Sequence, residues 1–397
     1  MIKDGFTIAR AIQSRSWPAS SANLEFAAAW GTRDEVGEEV PRVADDVEVR
    51  RISPLVEAAG RVEGMPVRLK ENLGIAFQGC IVLGSGFTLN PAEAQEWIAA
   101  DARNAEVLFP YLNGQDLNSR PDSSPSRWVI DFGMREEAEA ESYPIPYERV
   151  VQQVKPERAK VRIPYRRDFW WRFAAWAPSL RRAISEMSEV LVIARVSKTV
   201  MPLRVPTGQV MSEACVVFAT DDYGEQAILS SSLHQVWAIT YGSTLETRVR
   251  YTPSDVFETF PRPPVTDRLI GAGRSLNETR RDTMLRRNLG LTDLYNLVND
   301  PQNQGDADVE KLRGLHAEID AAVLNSFGWD DLITDPGFHE YRQVVRWTIS
   351  PATRVEVLDR LLLENHHRAA GGAELEASPQ AGGSNRRAAA EDGTLFG

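Results

Sequence analysis

V-K-P-E-R-A-K (Val154–Lys160), R-I-P-Y-R-R-D-F-W-W-R-F (Arg162–Phe173) and A-R-V-S-K-T (Ala194–Thr199) belong to one basic, tryptophan-rich stretch that ends at Arg204. From Arg149 to Arg204 there are 13 Lys/Arg and 4 Asp/Glu, a net of +9, in a chain whose net charge is −11. The remainder therefore sums to −20. An acidic protein that concentrates positive charge in one window sets up a local field, and a phosphate backbone is the commonest target of such a field. The competing reading is a solvated helix face with structural arginines. Tyr165, Phe169, Trp170, Trp171 and Trp176 interleave with the cations, which places phosphate donors beside flat rings. Aromatic stripes usually belong to a core, so at least one of the three tryptophans is expected inside.

The expected phosphate contacts are Lys155, Arg158, Lys160, Arg162, Arg166, Arg167 and Lys198. Arg166, Arg167 and Arg172 also suit bridging phosphates or reading guanine edges. Arg172 and Arg195 complete the candidate set, although their apolar flanks also suit a buried ion pair.

A length of 397 residues predicts two or three domains, and 43% hydrophobic with 25% charged residues is enough for a sizeable core. The two cysteines, Cys80 and Cys215, form no C-x-x-C pair. The five histidines, His234, His316, His339, His366 and His367, show no H-x-x-x-H spacing. No metal site is expected from these residues, and a reduced, cytoplasmic setting is. M-I-K-D-G-F-T-I-A-R at the start has no apolar run of signal-peptide length, and no 18-residue apolar stretch exists to span a membrane.

Four segments are expected. Residues 1–72 are a partly looped N-terminal segment, with a strand ending at Trp17-Pro18, a second through Leu24–Trp30 and a third near Val47–Ile52. Residues 73–262 are a mixed α/β domain. N-P-A-E at Asn90 reads as a helix start, with Asn90 as cap, Pro91 at the first helical position and Glu93 as capping-box partner. F-P-Y-L-N-G-Q-D-L-N (Phe109–Asn118) reads as a loop with an Asn-Gly turn, and Tyr223–Tyr241 as one helix. Pro261–Pro264 is the clearest boundary, and everything from 263 to 368 is expected to be helical, including Tyr341–Thr348. Residues 369–397, rich in Ala, Gly, Ser and Glu, read as a disordered tail. The fold class is α+β: a mixed α/β domain followed by a helical bundle.

No local pattern assembles a catalytic site. There is no G-x-S-x-G, P-loop or G-x-G-x-x-G. Gly84-Ser85-Gly86 lacks the third glycine and reads as a turn. Asp131 with Glu137 and a downstream lysine can be forced into a nuclease-like carboxylate set, but the acidic helix that follows reads better as a solvated face.

Several phrases, in this order, resemble the C-terminal half of MmeI-like restriction-modification proteins and their adenine DNA methyltransferase relatives. They are F-P-Y-L-N-G-Q-D-L (Phe109–Leu117), Y-P-I-P-Y-E-R-V-V-Q-Q-V-K-P-E-R (Tyr143–Arg158), F-W-W-R-F (Phe169–Phe173), A-R-V-S-K (Ala194–Lys198), I-L-S-S-S-L-H-Q-V-W (Ile228–Trp237), L-E-T-R-V-R-Y-T-P-S-D-V-F-E-T-F-P (Leu245–Pro261) and L-G-L-T-D-L-Y-N (Leu289–Asn296). The resemblance covers Leu73 to Arg368, and the first 70 residues more weakly. It implies a target recognition domain with a helical C-terminal domain, acting on double-stranded DNA beside an adenine methyltransferase domain or subunit that binds S-adenosylmethionine. It also implies a place in restriction-modification or phage defence. The methyltransferase motifs F-x-G-x-G and N-P-P-Y/F are not in this sequence. No cofactor and no methyl transfer are therefore expected of this chain alone. The alternative is a degenerate methyltransferase or an unrecognised nuclease.

Overall fold

The computed structural model describes residues 6–16, 25–34, 36–37, 39–49, 51–52, 56, 62, 64–245, 248–341 and 344–371. Its main core is built on an antiparallel sheet, in the order Leu203–Pro206, Glu189–Ala194, Cys215–Phe218, Ala76–Gln78. The apolar runs E-V-L-V-I-A and C-V-V-F make its two central strands, and Val190, Leu191, Val192 and Cys215 to Phe218 are fully buried. The helices Tyr223–Ser230 and Ser232–Tyr241 share this core. They are two helices, not the single one expected. Ser231 stays extended and its Oγ accepts from the His234 N–H at 3.2 Å, so it starts a new helix inside an unbroken apolar pattern.

After Pro261–Pro264 the chain changes from strands to helices, and the core continues across the change. Leu269 and Leu276 of Asp267–Arg287, Leu294 of Leu291–Val298, Ile319 of Ala307–Ser326 and Leu361 of Pro351–Ala369 pack in the same cluster as the sheet. Gly273 lets the long helix approach Tyr223 so closely that a Cβ there would strike the Tyr223 carbonyl. One segment corrects the all-helical expectation. Gly337–Tyr341 and Val344–Thr348 form an antiparallel hairpin. V-V-R-W-T is β-branched and aromatic, and the pair Phe338–Trp347 lies against the Arg313 guanidinium at 4.8 and 5.5 Å.

A second core gathers on the sheet Val210–Met211, Leu108–Leu112, Arg127–Ile130, Thr88–Leu89. Helix Pro91–Ala100 packs there. The Asn90 side chain caps it by accepting from the Glu93 N–H at 2.8 Å, but the Glu93 carboxylate turns to Arg149 at 2.8 Å and does not close the box. The loop expected at Phe109–Asn118 is a strand followed by the helix Gly114–Ser119. Asn113 is its cap, in a complete capping box with Asp116, so Asn-Gly marks a helix start and not a turn.

The N-terminal residues form a separate sheet in the order Glu25–Thr32, Thr7–Ser16, Arg42–Ala44, Val47–Val49, with its own small cluster around Ile8, Ala11, Ala44 and Ile52. The first two strands pair antiparallel. Trp17, Pro18 and Leu24 lie outside the described residues, as does the expected tail from 372 onward. Among the described residues no helix is long and apolar enough to cross a membrane.

Candidate nucleic-acid interface

The basic stretch folds over the second core. Pro156 opens the short helix Lys155–Arg158. Arg158 is 2% exposed, and its Nη2 donates to the carbonyls of Val82 at 3.0 Å and Leu83 at 2.7 Å. It clamps a turn in which Leu83 has φ +52°. Burial, helped by the charge of Arg166, pushes its pKa down to about 10. Arg172 is also buried. Its Nε and Nη2 donate to the Arg135 carbonyl at 3.0 and 2.8 Å, and Glu136 lies 3.0 Å away. Both arginines are therefore withdrawn from the candidate contacts: their donors already meet carbonyl oxygens inside the protein. Trp170 and Trp171 are buried, and Trp176 is half-buried.

Outside this frame, Lys155 is exposed, with its ammonium 4.4 Å from the Trp170 ring centre and 3.9 Å from Glu137. Arg167 is exposed and pairs with Asp168 at 2.9 Å. Lys160 and Arg162 are exposed and Arg166 is half-buried, and among the described residues none has an ion-pair partner.

The carboxylates do not converge into a catalytic set. Asp131 is 3% exposed and accepts from the Gly133 N–H at 2.8 Å, the Trp176 indole at 3.2 Å and Arg181 at 2.5 Å. Glu137 accepts from the Tyr147 hydroxyl at 3.0 Å. No cluster of three or more His, Cys, Asp or Glu able to hold a metal occurs among the described residues. The Gly84-Ser85-Gly86 turn does not fit S-adenosylmethionine either. A Cβ on Gly86 would sit 2.5 Å from Gln153 Cβ, so the space a cofactor would need is filled by a helix.

A second group of cations lies where the core sheet hands over to a three-stranded ribbon, in the order Val196–Ser197, Arg248–Arg250, Ser243–Leu245. Arg195 is the hinge between the two sheets. Its N–H donates to the Ala214 carbonyl at 2.8 Å and its carbonyl accepts from the Tyr251 N–H at 2.7 Å. Its side chain is half-buried, and Nε is enclosed without an acceptor among the described residues. Burial, and next the charge of Arg250, hold its pKa below the usual arginine value. Arg250 and Lys198 are exposed. Glu213, whose charge is felt at Arg195, has Oε2 enclosed without a donor among the described residues. Each such orphan costs about 1–3 kcal/mol in a buried setting. A group left this way calls for a ligand or a water. The site can donate from Arg195, Arg250 and Lys198, and accept at Glu213. Those are the two roles that base edges require, since guanine O6 and N7 accept and the cytosine amine donates.

Of this group, the candidates expected from the sequence include Arg195 and Lys198 but not Arg250 or Glu213. The signal for Arg250 was the alternation T-R-V-R, which puts Arg248 and Arg250 on one strand face. Glu213 carried no signal.

Residues 75–264 match the family model for the MmeI target recognition domain. The matched stretch is just under half of the chain. It contains every candidate cation described above. A fold similar to nearly the whole chain is found in the structure of the Type IIL restriction-modification enzyme MmeI in complex with DNA, with a TM-score of 0.67 and 16% sequence identity. That likeness covers 92% of this chain and 46% of the MmeI chain, so this chain spans less than half the length of the solved one. No curated protein matches this chain.

Proposed function

We propose that this chain is the sequence-reading module of an adenine-specific DNA methyltransferase system of restriction-modification or phage-defence type, working in the cytoplasm. The observation that carries the reading is the group Arg195, Arg250, Lys198 and Glu213, set inside a segment of the MmeI target recognition family with donors and an acceptor unmet. Exposed cations without carboxylate partners, Lys160 and Arg162 with the half-buried Arg166, dock duplex DNA through its phosphates. Arg195, Arg250 and Glu213 then meet base edges in the major groove.

Methyl transfer is assigned to a domain or subunit outside this chain, which binds S-adenosylmethionine and holds the adenine amine. The support is the absence of F-x-G-x-G and N-P-P-Y from the sequence, together with the packing that fills the Gly86 turn. The nuclease alternative is not favoured, because Asp131 is already bound to Arg181 and Trp176.

Mobility shifts on duplex DNA from about 50 to about 200 mM salt test the reading, with affinity expected to fall steeply as salt rises. Flat salt dependence overturns the docking mechanism. Binding of radiolabelled S-adenosylmethionine by this chain alone overturns the division of labour.

A further inference from the structure

Leu83 occupies an unusual place in the turn that Arg158 clamps. It is 48% exposed, and its φ of +52° lies in the left-handed region. That region crowds a leucine Cβ against the following carbonyl, whereas glycine or asparagine adopts it readily. A single exposed leucine is ordinary on a protein surface. One held in a costly backbone conformation is not, and such outliers cluster at ligand contacts.

The turn is held from three sides. Arg158 Nη2 donates to the Val82 and Leu83 carbonyls at 3.0 and 2.7 Å. Gly86 lies so close to the end of the helix Pro144–Gln153 that a Cβ there would come within 2.5 Å of Gln153 Cβ. Phe87 is fully buried, edge-on to the Phe173 ring at 5.6 Å. Leu83 is thus an exposed apolar tip on a rigid mount.

The mount stands among cations. Arg158 Nη1 donates to the Arg166 carbonyl at 3.4 Å, so the Leu83 turn and the segment bearing Arg166 meet on one side chain. The chain leaves the Arg158 helix through a turn in which the Val161 N–H donates to the Arg158 carbonyl at 3.0 Å. Lys160 and Arg162, both exposed, flank Val161 there. A ligand for this place carries negative charge on its outside and flat apolar surface within reach of a short side chain. Duplex DNA has both, in its phosphates and its stacked bases. Leucine is among the side chains that wedge between base steps, unstack them in part and bend the duplex. A wedge works only if its mount does not yield before the bases do, and the Arg158 clamp supplies that stiffness.

We propose that Leu83 is an apolar wedge that enters a base step of duplex DNA, while Lys160, Arg162 and Arg166 hold the phosphates beside it. This rests on the proposed function, whose docking cations it uses. It adds bending of the DNA, and a preference for steps that unstack readily, to the base reading at Arg195, Arg250 and Glu213.

The test uses the full chain without a methyltransferase partner, so that extrusion of an adenine does not contribute to the signal. The probes are duplexes of about 30 base pairs recovered from a random-sequence selection on this chain. They carry donor and acceptor dyes at their ends, or 2-aminopurine at each step in turn. The wild type is expected to shorten the end-to-end distance and to raise 2-aminopurine fluorescence at one step. Leu83→Asn suits the left-handed backbone and removes the apolar tip. It is expected to melt no lower than the wild type, to lose both signals and to bind about tenfold more weakly. Its salt slope is expected to stay the same, because no phosphate contact is removed. Leu83→Met keeps an apolar tip and is expected to keep both signals. The proposal is overturned if Leu83→Asn bends and unstacks the duplex as the wild type does. It is equally overturned if the wild type binds with steep salt dependence yet leaves the DNA straight and stacked, a result that spares the proposed function. If Leu83→Asn spares DNA binding but weakens association with the polypeptide bearing F-x-G-x-G, Leu83 faces protein and the wedge is wrong. Flat salt dependence, or no binding, strikes the proposed function itself, and the wedge falls with it.

Discussion

The turn-and-helix stretch from 155 to 182 and the ribbon around Arg195 and Arg250 are both basic, yet their cations do different things. In the first, Arg158, Arg172 and Arg181 donate to the carbonyls of Val82, Leu83, Arg135 and Trp176 and to Asp131. Their charge holds irregular backbone in place. In the second, the Arg195 Nε and a Glu213 oxygen are enclosed without partners among the described residues, and Arg250 adds repulsion to Arg195. A count of charge along the sequence locates cations. An inventory of their partners decides which remain available to a ligand.

The largest effect expected from this contrast is at Arg158. Arg158→Met leaves the Val82 and Leu83 carbonyls without a donor and is expected to lower stability by about 4 kcal/mol, at roughly 2 kcal/mol for each orphan. Urea denaturation measures the loss. The salt slope of DNA binding by the folded fraction should not move. A stable variant with a reduced slope would place Arg158 on DNA and break the contrast.

The helical core provides a control with titratable groups buried away from solvent. Asp320 is buried and accepts from the Ser232 N–H at 2.6 Å. Burial raises its pKa from 3.8 to about 7. Folding then favours the protonated acid, so its contribution to stability is full below 3.8 and is lost as pH rises through 7. Burial lowers His234 and His316 from 6.5 to about 4, the opposite sign: their contribution is full above 6.5 and is lost as pH falls through 4. Asp320→Asn keeps the acceptor and removes the charge. The pKa difference is worth roughly 4 kcal/mol, and a buried amide without an acceptor returns about 1 of it. Melting curves should show a gain that grows between pH 4 and 7, reaches about 3 kcal/mol and stays flat above. An equal gain at every pH would mean that Asp320 is not the titrating group.

Much of the fold was legible because it is written in local signals. The apolar run Val190–Ala194, the helix Leu291–Val298 and the Asn90 cap all appear where short-range chemistry puts them. The misses have two causes, a distant partner and a cap that was hidden in a regular pattern or read as a turn. Ser231 interrupts an apolar periodicity that gives no sign of a break. The segment 337–348 becomes a hairpin that stacks on Arg313, contributed by another helix. The site was half legible for the same reason. The Leu83 carbonyl that engages Arg158 is 75 residues away, and Arg250 reaches its place by pairing with Val196.

The ribbon itself yields the next effect. Arg195→Ala and Arg250→Ala should each weaken DNA binding about tenfold, near 1.4 kcal/mol for one good contact. Because the two charges repel, the double variant should lose less than the product of the singles. Stability should hold or rise, since Arg195 is partly desolvated. Glu213→Gln should shift the preferred DNA sequence in a selection experiment while leaving the salt slope alone. Unaltered selection would remove Glu213 from the reading surface.

The smallest effect separates two lysines within the first region. Lys160 is exposed and has no ion-pair partner among the described residues. Lys160→Ala should weaken binding to all sequences alike and reduce the salt slope by about one, because one phosphate contact releases about one counterion. Lys155 sits over Trp170 and near Glu137. Lys155→Ala should leave the slope unchanged and lower stability by about 0.5 kcal/mol, the scale of an exposed cation–ring contact. The pair sharpens the contrast because the two side chains are five residues apart and carry the same charge. If Lys155 lowers the slope as much as Lys160, a ring contact does not hold a cation away from DNA. Partner inventory would then have to count carbonyls and carboxylates and leave aromatic faces out.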